Sequence, residues 1–224
     1  MSATTADVVA WLDTPKWKPA TRSSVRASLR SFYKWAQGEG LRPDNPTDRT
    51  RPVKMPERTI KEAPMEAVEA ALERAEPLDR LALSLAAFGG LRRAEITRLH
   101  TDDIDLKRGM LTVVGKGQKT RKVPIHPRLR PGLAEAVQRG GYVFPDAEDG
   151  FAGIERMGKR LARLIPGKWT AHSLRHAFAS NVYRSSKDIR AVQQLLGHAS
   201  IATTEIYTRV DEDDLRAAVG MWSA

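Results

Sequence analysis

Apolar positions recur along most of this chain at spacings of three and four, and in one stretch at a spacing of two. Val25, Leu29, Phe32 and Ala36 form one stripe, which predicts a helix over about 21–37 with Thr21 as its N-cap. Met65 to Ala75 reads as a helix begun after Pro64. Leu78, Leu81, Ala82, Leu85 and Ala86 continue the helical stripe until Gly89-Gly90 interrupts it. A short helix follows, with Leu91, Ile96 and Leu99 apolar and Arg92, Arg93 and Glu95 polar. The period then changes to two. Asp103–Asp105, Met110–Val114 and Lys122–Ile125 predict three short strands, with turns at Gly109 and Gly115-Lys116-Gly117. Helical spacing resumes over about 129–139, 152–164, 171–184, 187–196, 200–208 and 211–219. Gly197 and Gly220 stand where C-caps belong, and Asp211 with Asp214 suits a helix start. The expected fold class is mainly α, of the α+β kind, with one small three-stranded antiparallel sheet.

The prolines divide the chain. Residues 51–63 hold Pro52 and Pro56, with Pro64 just beyond, among Arg51, Lys54, Arg58 and Lys61. Proline blocks helix continuation and the charges oppose burial, so this stretch is expected to be a basic linker. It separates a small helical unit, 1–50, from a larger one, 64–224.

Charge sharpens the picture. The 224 residues carry 37 Lys+Arg against 27 Asp+Glu, a net +10. Residues 1–60 and 61–224 each net +5, so both units suit one polyanion, nucleic acid above all. The absence of cysteine excludes a disulfide scaffold, a thiol nucleophile and any Cys-ligated metal centre. No apolar run approaches membrane-spanning length, and the N-terminus lacks the features of a signal peptide. A soluble cytoplasmic protein without a membrane partner is expected.

Two basic features stand out. Arg22, Arg26, Arg30 and Lys34 step by four beside the apolar stripe, with no acid between them, a geometry suited to a phosphate backbone. From Lys107 to Arg130 there are eight basic residues and no acid, Lys119 and Arg121 among them. A lysine-rich turn flanked by glycines reaches a groove or a backbone without steric cost. His172 and Arg175 are i and i+3, on one helix face, where Arg175 offers a planar fork to phosphate oxygens and His172 a proton acceptor. His172 and His176 have the spacing of a zinc pair, but without a Glu at 173 or any cysteine no metal is expected. Tyr207 is a weak nucleophile by itself, and becomes a strong one only beside cations and a base.

The ordered set Gly90-Leu91-Arg92-Arg93-Ala94-Glu95-Ile96, Gly115-Lys116-Gly117-Gln118-Lys119, His172-x-x-Arg175 and Leu195-Leu196-Gly197-His198, with Tyr207 nine residues on, resembles the tyrosine recombinases of the phage-integrase family over about 62–216. Residues 21–46 are similar, less specifically, to that family's helical core-site-binding domain. The resemblance implies a site-specific DNA recombinase, an integrase of a phage or mobile element, cutting and rejoining DNA through a 3′-phosphotyrosine without metal, cofactor or ATP. Arg92 and Arg175 would grip the scissile phosphate. Lys116 would protonate the leaving 5′ oxygen, with Lys119 its rival. His172 would take the tyrosine proton or steady the phosphate, His198 would add a hydrogen bond, and Tyr207 would attack. Glu95 would be a structural partner near Arg92. Arg22, Arg26, Arg30, Lys34, Lys119 and Arg121 would bind DNA.

The same resemblance implies a homotetramer on two duplex core sites, with a C-terminal helix bearing Leu215, Ala218, Val219 and Trp222 that would either dock on an adjacent subunit or pack on its own domain. It also implies an accessory factor that sets direction, and action on the nucleoid of a bacterial host. With only about 60 residues before the catalytic unit, an arm-binding domain is not expected. Two alternatives stay open: a type IB topoisomerase-like enzyme with the same chemistry on one duplex, and a non-catalytic DNA-binding protein on the same fold. A metal nuclease would need the acids at 102–105 or 211–214 as ligands, which read better as turn or helix-start residues.

Overall fold

A computed structural model describes residues 3–14, 16–56, 61–146 and 150–197, the side chain of Lys116 excepted. The helices expected over 200–208 and 211–219, Gly220, the Asp211–Asp214 cap, His198 and Tyr207 lie outside the described residues. The chain forms two compact units, Met1–Arg58 and Thr59–Ala224.

The first unit is built on α1 (Thr5–Leu12) and α2 (Pro19–Gly38). Thr4 caps α1, with Asp7 returning the bond to the Thr4 backbone. α2 starts at Pro19 rather than after Thr21, because proline's fixed φ and missing N–H suit the first helical turn. Val25 and Leu29 pack against Val8, Leu12 and Tyr33. Tyr33, not Phe32, faces inward: it is 8% exposed while Phe32 is 38% exposed. The stripe therefore steps by four from Leu29 to Tyr33, and Arg42 lies over the Tyr33 ring.

The second unit is organised around a helix that is apolar on every side. In α4 (Pro77–Phe88), Leu81 through Ala87 are all buried, Ser84 included. A helix hydrophobic all round belongs inside a protein. It packs against α3 (Met65–Arg74), α5 (Arg93–Thr97), α6 (Arg130–Arg139), α7 (Ile154–Leu164) and α8 (Ala171–Ser186). The sheet has the expected three strands in the order β1 (Ile104–Asp105), β2 (Met110–Val114), β3 (Thr120–Pro124), both pairs antiparallel. Leu111, Val113 and Val123 point into the core. β3 begins two residues earlier than its apolar pattern suggests, because Val114 pairs with Thr120. Asp103 closes a 3₁₀ turn, Thr101–Asp103, ahead of β1.

The end of the described chain is punctuated twice by left-handed residues. Lys187 (φ 53°) ends α8, and Asp188 at once caps α9 (Ile189–Leu196) by accepting from the backbone N–H groups of Arg190 and Ala191. Gly197 (φ 62°) ends α9, as its sequence position suggests.

Candidate active site

Arg92 enters the site from the corner between α4 and α5. Gly90 makes that corner with φ 62°, and its missing side chain leaves room for the Phe178 ring, 2.4 Å from where a Cβ would stand. Arg92 is the N-cap of α5. Its backbone N–H donates to Glu95 Oε2 at 2.7 Å and its Nη1 to Glu95 Oε1 at 2.8 Å. Arg175 arrives from α8, 3% exposed. It donates to the carbonyls of Gly90 and Leu196 at 2.5 Å each, and its Nη1 lies 3.7 Å from Glu95 Oε2. These acceptors, from two distant stretches of chain, fix the plane of the guanidinium.

Glu95 is the hub, 6% exposed. Burial by itself would raise its carboxyl. The hydrogen bonds and charge of Arg121, joined by Arg92, overcome that and hold the pKa at about 2. The carboxylate thus stays ionised and keeps the arginines in place.

Arg92, Arg93, Ala94, Ile154, Ala171, His172 and Arg175 line one open cleft of about 380 Å³. His172, at the exposed start of α8, titrates below its ordinary range. Partial desolvation is the first cause, and the charges of Arg175, Arg92 and Arg93 follow. At neutral pH its ring is uncharged and able to accept a proton. His176, one turn on, stacks edge-to-face with it at 4.1 Å between centroids. Its pKa falls to about 4, through burial first and then the charges of His172 and Arg175, against a smaller opposing pull from Glu62, so it stands neutral beside His172. Among the described residues no three His, Cys, Asp or Glu side chains are grouped to hold a metal. Arg93 is a cleft residue that the sequence did not single out. Its guanidinium crosses α7 where Gly158 gives it room, since a Cβ there would stand 2.5 Å from Nη1.

The β2–β3 turn comes close to this cluster. A Cβ on Gly115 would lie 3.8 Å from Glu95 Oε1, so the backbone of Lys116 begins its 3₁₀ turn next to the hub. Gly117 and Gln118 both take left-handed backbone there. Lys119 is exposed at the turn's end.

Three of the residues expected to bind DNA have partners within the protein. Arg121 is 10% exposed, with its fork on both oxygens of Glu95 and its Nε on Leu195 O, so it is a buried clamp rather than a groove-facing cation. Arg26 is spent on Thr50, through its Oγ1 and carbonyl. Arg22 pairs with Asp13, an acid just ahead of the stripe. Arg30 and Lys34 remain exposed on α2.

Residues 58–214 match the phage integrase family. The tyrosine recombinase XerD of Xanthomonas campestris pv. campestris is 32% identical, over 94% of this chain and 74% of its own length. Among solved structures, the integrase from mycobacterium phage Brujita superposes with a TM-score of 0.58 at 32% identity, covering 98% of this chain and 77% of that one. The XerH site-specific recombinase, solved bound to its palindromic difH substrate, shares the fold with a TM-score of 0.78 at 21% identity, over 98% of this chain and 70% of its own.

Proposed function

Since the chain belongs to the phage integrase family and is a tyrosine-type site-specific recombinase, we propose that it acts as an integrase of a phage or mobile element, through a 3′-phosphotyrosyl intermediate formed by Tyr207. The phenol oxygen attacks the scissile phosphorus and the 5′ oxygen of the next deoxyribose leaves. His172 receives the phenolic proton and Lys116 gives one to the leaving oxygen. Reversal with a 5′ hydroxyl from a second duplex rejoins the strands. The phosphodiester bond energy is kept in the phosphotyrosine, so no ATP is needed.

The observation that carries this reading is the cleft of Arg92, Arg93, Arg175 and His172 built on one ionised carboxylate. Phosphoryl transfer requires positive charge around a multiply anionic centre, fixed before the reaction begins. Here the protein's own cations supply it. His198 completes the phosphate contacts, and Arg30, Lys34 and Lys119 supply open positive charge for the duplex. Four protomers on two core sites, joined through the C-terminal helix and steered by an accessory factor in a bacterial cytoplasm, complete the proposal.

A nicked suicide duplex tests it. Wild-type protein should give a band that resists denaturation, in the presence of a chelator, and Tyr207→Phe should not. Adduct formation on an isolated single duplex, with relaxation of supercoils and no exchange between paired sites, would favour the topoisomerase-like alternative. A duplex bound without any adduct would reduce the protein to a DNA binder.

A further inference from the structure

Arg121 leaves β3 with every nitrogen committed. Nη1 and Nη2 donate to the two oxygens of Glu95 at 2.8 Å each, and Nε donates to Leu195 O at 2.7 Å. Gly197 lies against it, since a Cβ there would stand 3.0 Å from Arg121 Cδ. The neighbouring carbonyl, Leu196 O, accepts from Arg175. The last two carbonyls of α9, which have no partner within the helix, are therefore each taken by an arginine of the Glu95 cluster. Three separated pieces of chain meet on this one side chain: the α5 corner that carries Arg92, the strand after the Lys116 turn, and the end of α9, from which the sequence runs on to His198.

We infer that Arg121 is a positioning residue for strand cleavage: it locks Glu95 and the C-terminal end of α9 into one frame, which sets the guanidiniums of Arg92 and Arg175 and the departure of the chain toward His198. The inference rests on the phosphotyrosine reading above. Its physical basis is the shape of guanidinium. A planar fork grips both carboxylate oxygens in one orientation and keeps a third donor for Leu195 O, which a lysine ammonium, a single point charge, does not reproduce. Loss of the fork leaves a buried carboxylate with one cation fewer, so burial pushes it toward protonation.

Single-turnover cleavage of the nicked suicide duplex by Arg121→Gln and Arg121→Lys decides the matter, with duplex affinity and thermal unfolding measured in parallel. A displacement of about 1 Å in a preorganised site costs about 100-fold in rate, so Arg121→Gln should cleave about 100-fold more slowly while binding duplex within about threefold of wild type. Arg121→Lys, which keeps the charge and serves if the glutamine variant does not fold, should recover only part of that rate. Cleavage by both variants at the wild-type rate, or a loss of cleavage that only mirrors a loss of binding, would each overturn the inference. Absence of any adduct from wild-type protein would instead defeat the phosphotyrosine reading on which it rests.

Discussion

Arg92 and Arg175 are tied to the two oxygens of a single carboxylate, Glu95, at 2.8 and 3.7 Å, but they are tied in different ways. Arg92 has a side chain 42% exposed and opens to the cleft. Arg175 is 3% exposed and is also held by Gly90 O and Leu196 O. The two substitutions should therefore separate. Arg92→Ala should slow cleavage by about 10²–10³-fold, the usual loss for one preorganised donor, with little change in unfolding temperature. Arg175→Ala should lose cleavage and also about 3–5 kcal/mol of stability, because breaking one side of a buried ionic cluster leaves the other side unpaired. Thermal melts beside cleavage rates distinguish the two.

Gly90→Ala should destabilise the second unit without touching a charged group. The residue has φ 62°, and a Cβ would stand 2.4 Å from the Phe178 ring. Left-handed backbone on a non-glycine residue costs about 1–3 kcal/mol, and displacement of the ring adds to it. Because Gly90 O also anchors Arg175, cleavage should fall along with the melting temperature.

Acid should weaken the fold through His176. Its folded pKa of about 4 lies below the ordinary 6.5, so the unfolded chain takes up a proton that the folded chain refuses. The stability is fully present above about pH 6.5 and is lost as the pH falls from there toward 4. His172 titrates in the same direction. Urea midpoints measured at pH 7.5 and 5.5 should fall for wild type, and His176→Gln should flatten the difference.

The basic face of α2 should divide in two. Arg30→Ala and Lys34→Ala should each weaken duplex binding and reduce its salt slope by about one, leaving the unit's stability unchanged. Arg26→Ala should lower stability by about 1–3 kcal/mol, because Thr50 loses both of its donors. Binding titrations across a salt series, with melts on the same samples, separate the two classes.

What the sequence showed plainly was periodicity. The apolar helix α4, the three period-two strands and the Gly197 cap follow from spacing alone, and the structure has them, with β1 starting one residue later and β3 two residues earlier than the pattern suggests. Two helix details escaped it. Phe32 and Tyr33 are adjacent and similar in hydrophobicity, so only packing against Val8 and Leu12 decides which turns inward. α1 is short, and its main signal is the Thr4–Asp7 capping pair. The Glu95 cluster escaped for a different reason. Arg121 stands in a run of 24 residues without an acid, and its carboxylate partner comes from the α5 corner, before that run begins. Local charge pattern describes solvent-facing residues well, but it is blind to a partner that the fold supplies from elsewhere. The same blindness made Arg22, Arg26, Arg30 and Lys34 look alike when Asp13 and Thr50 occupy only the first two.

The most direct measurement digests the trapped protein–DNA adduct with protease and nuclease, then maps the nucleotide-bearing peptide by mass spectrometry. The account predicts a nucleoside 3′-phosphate on the phenolic oxygen of Tyr207. A nucleotide on any other residue, or one linked through its 5′ phosphate, would contradict it.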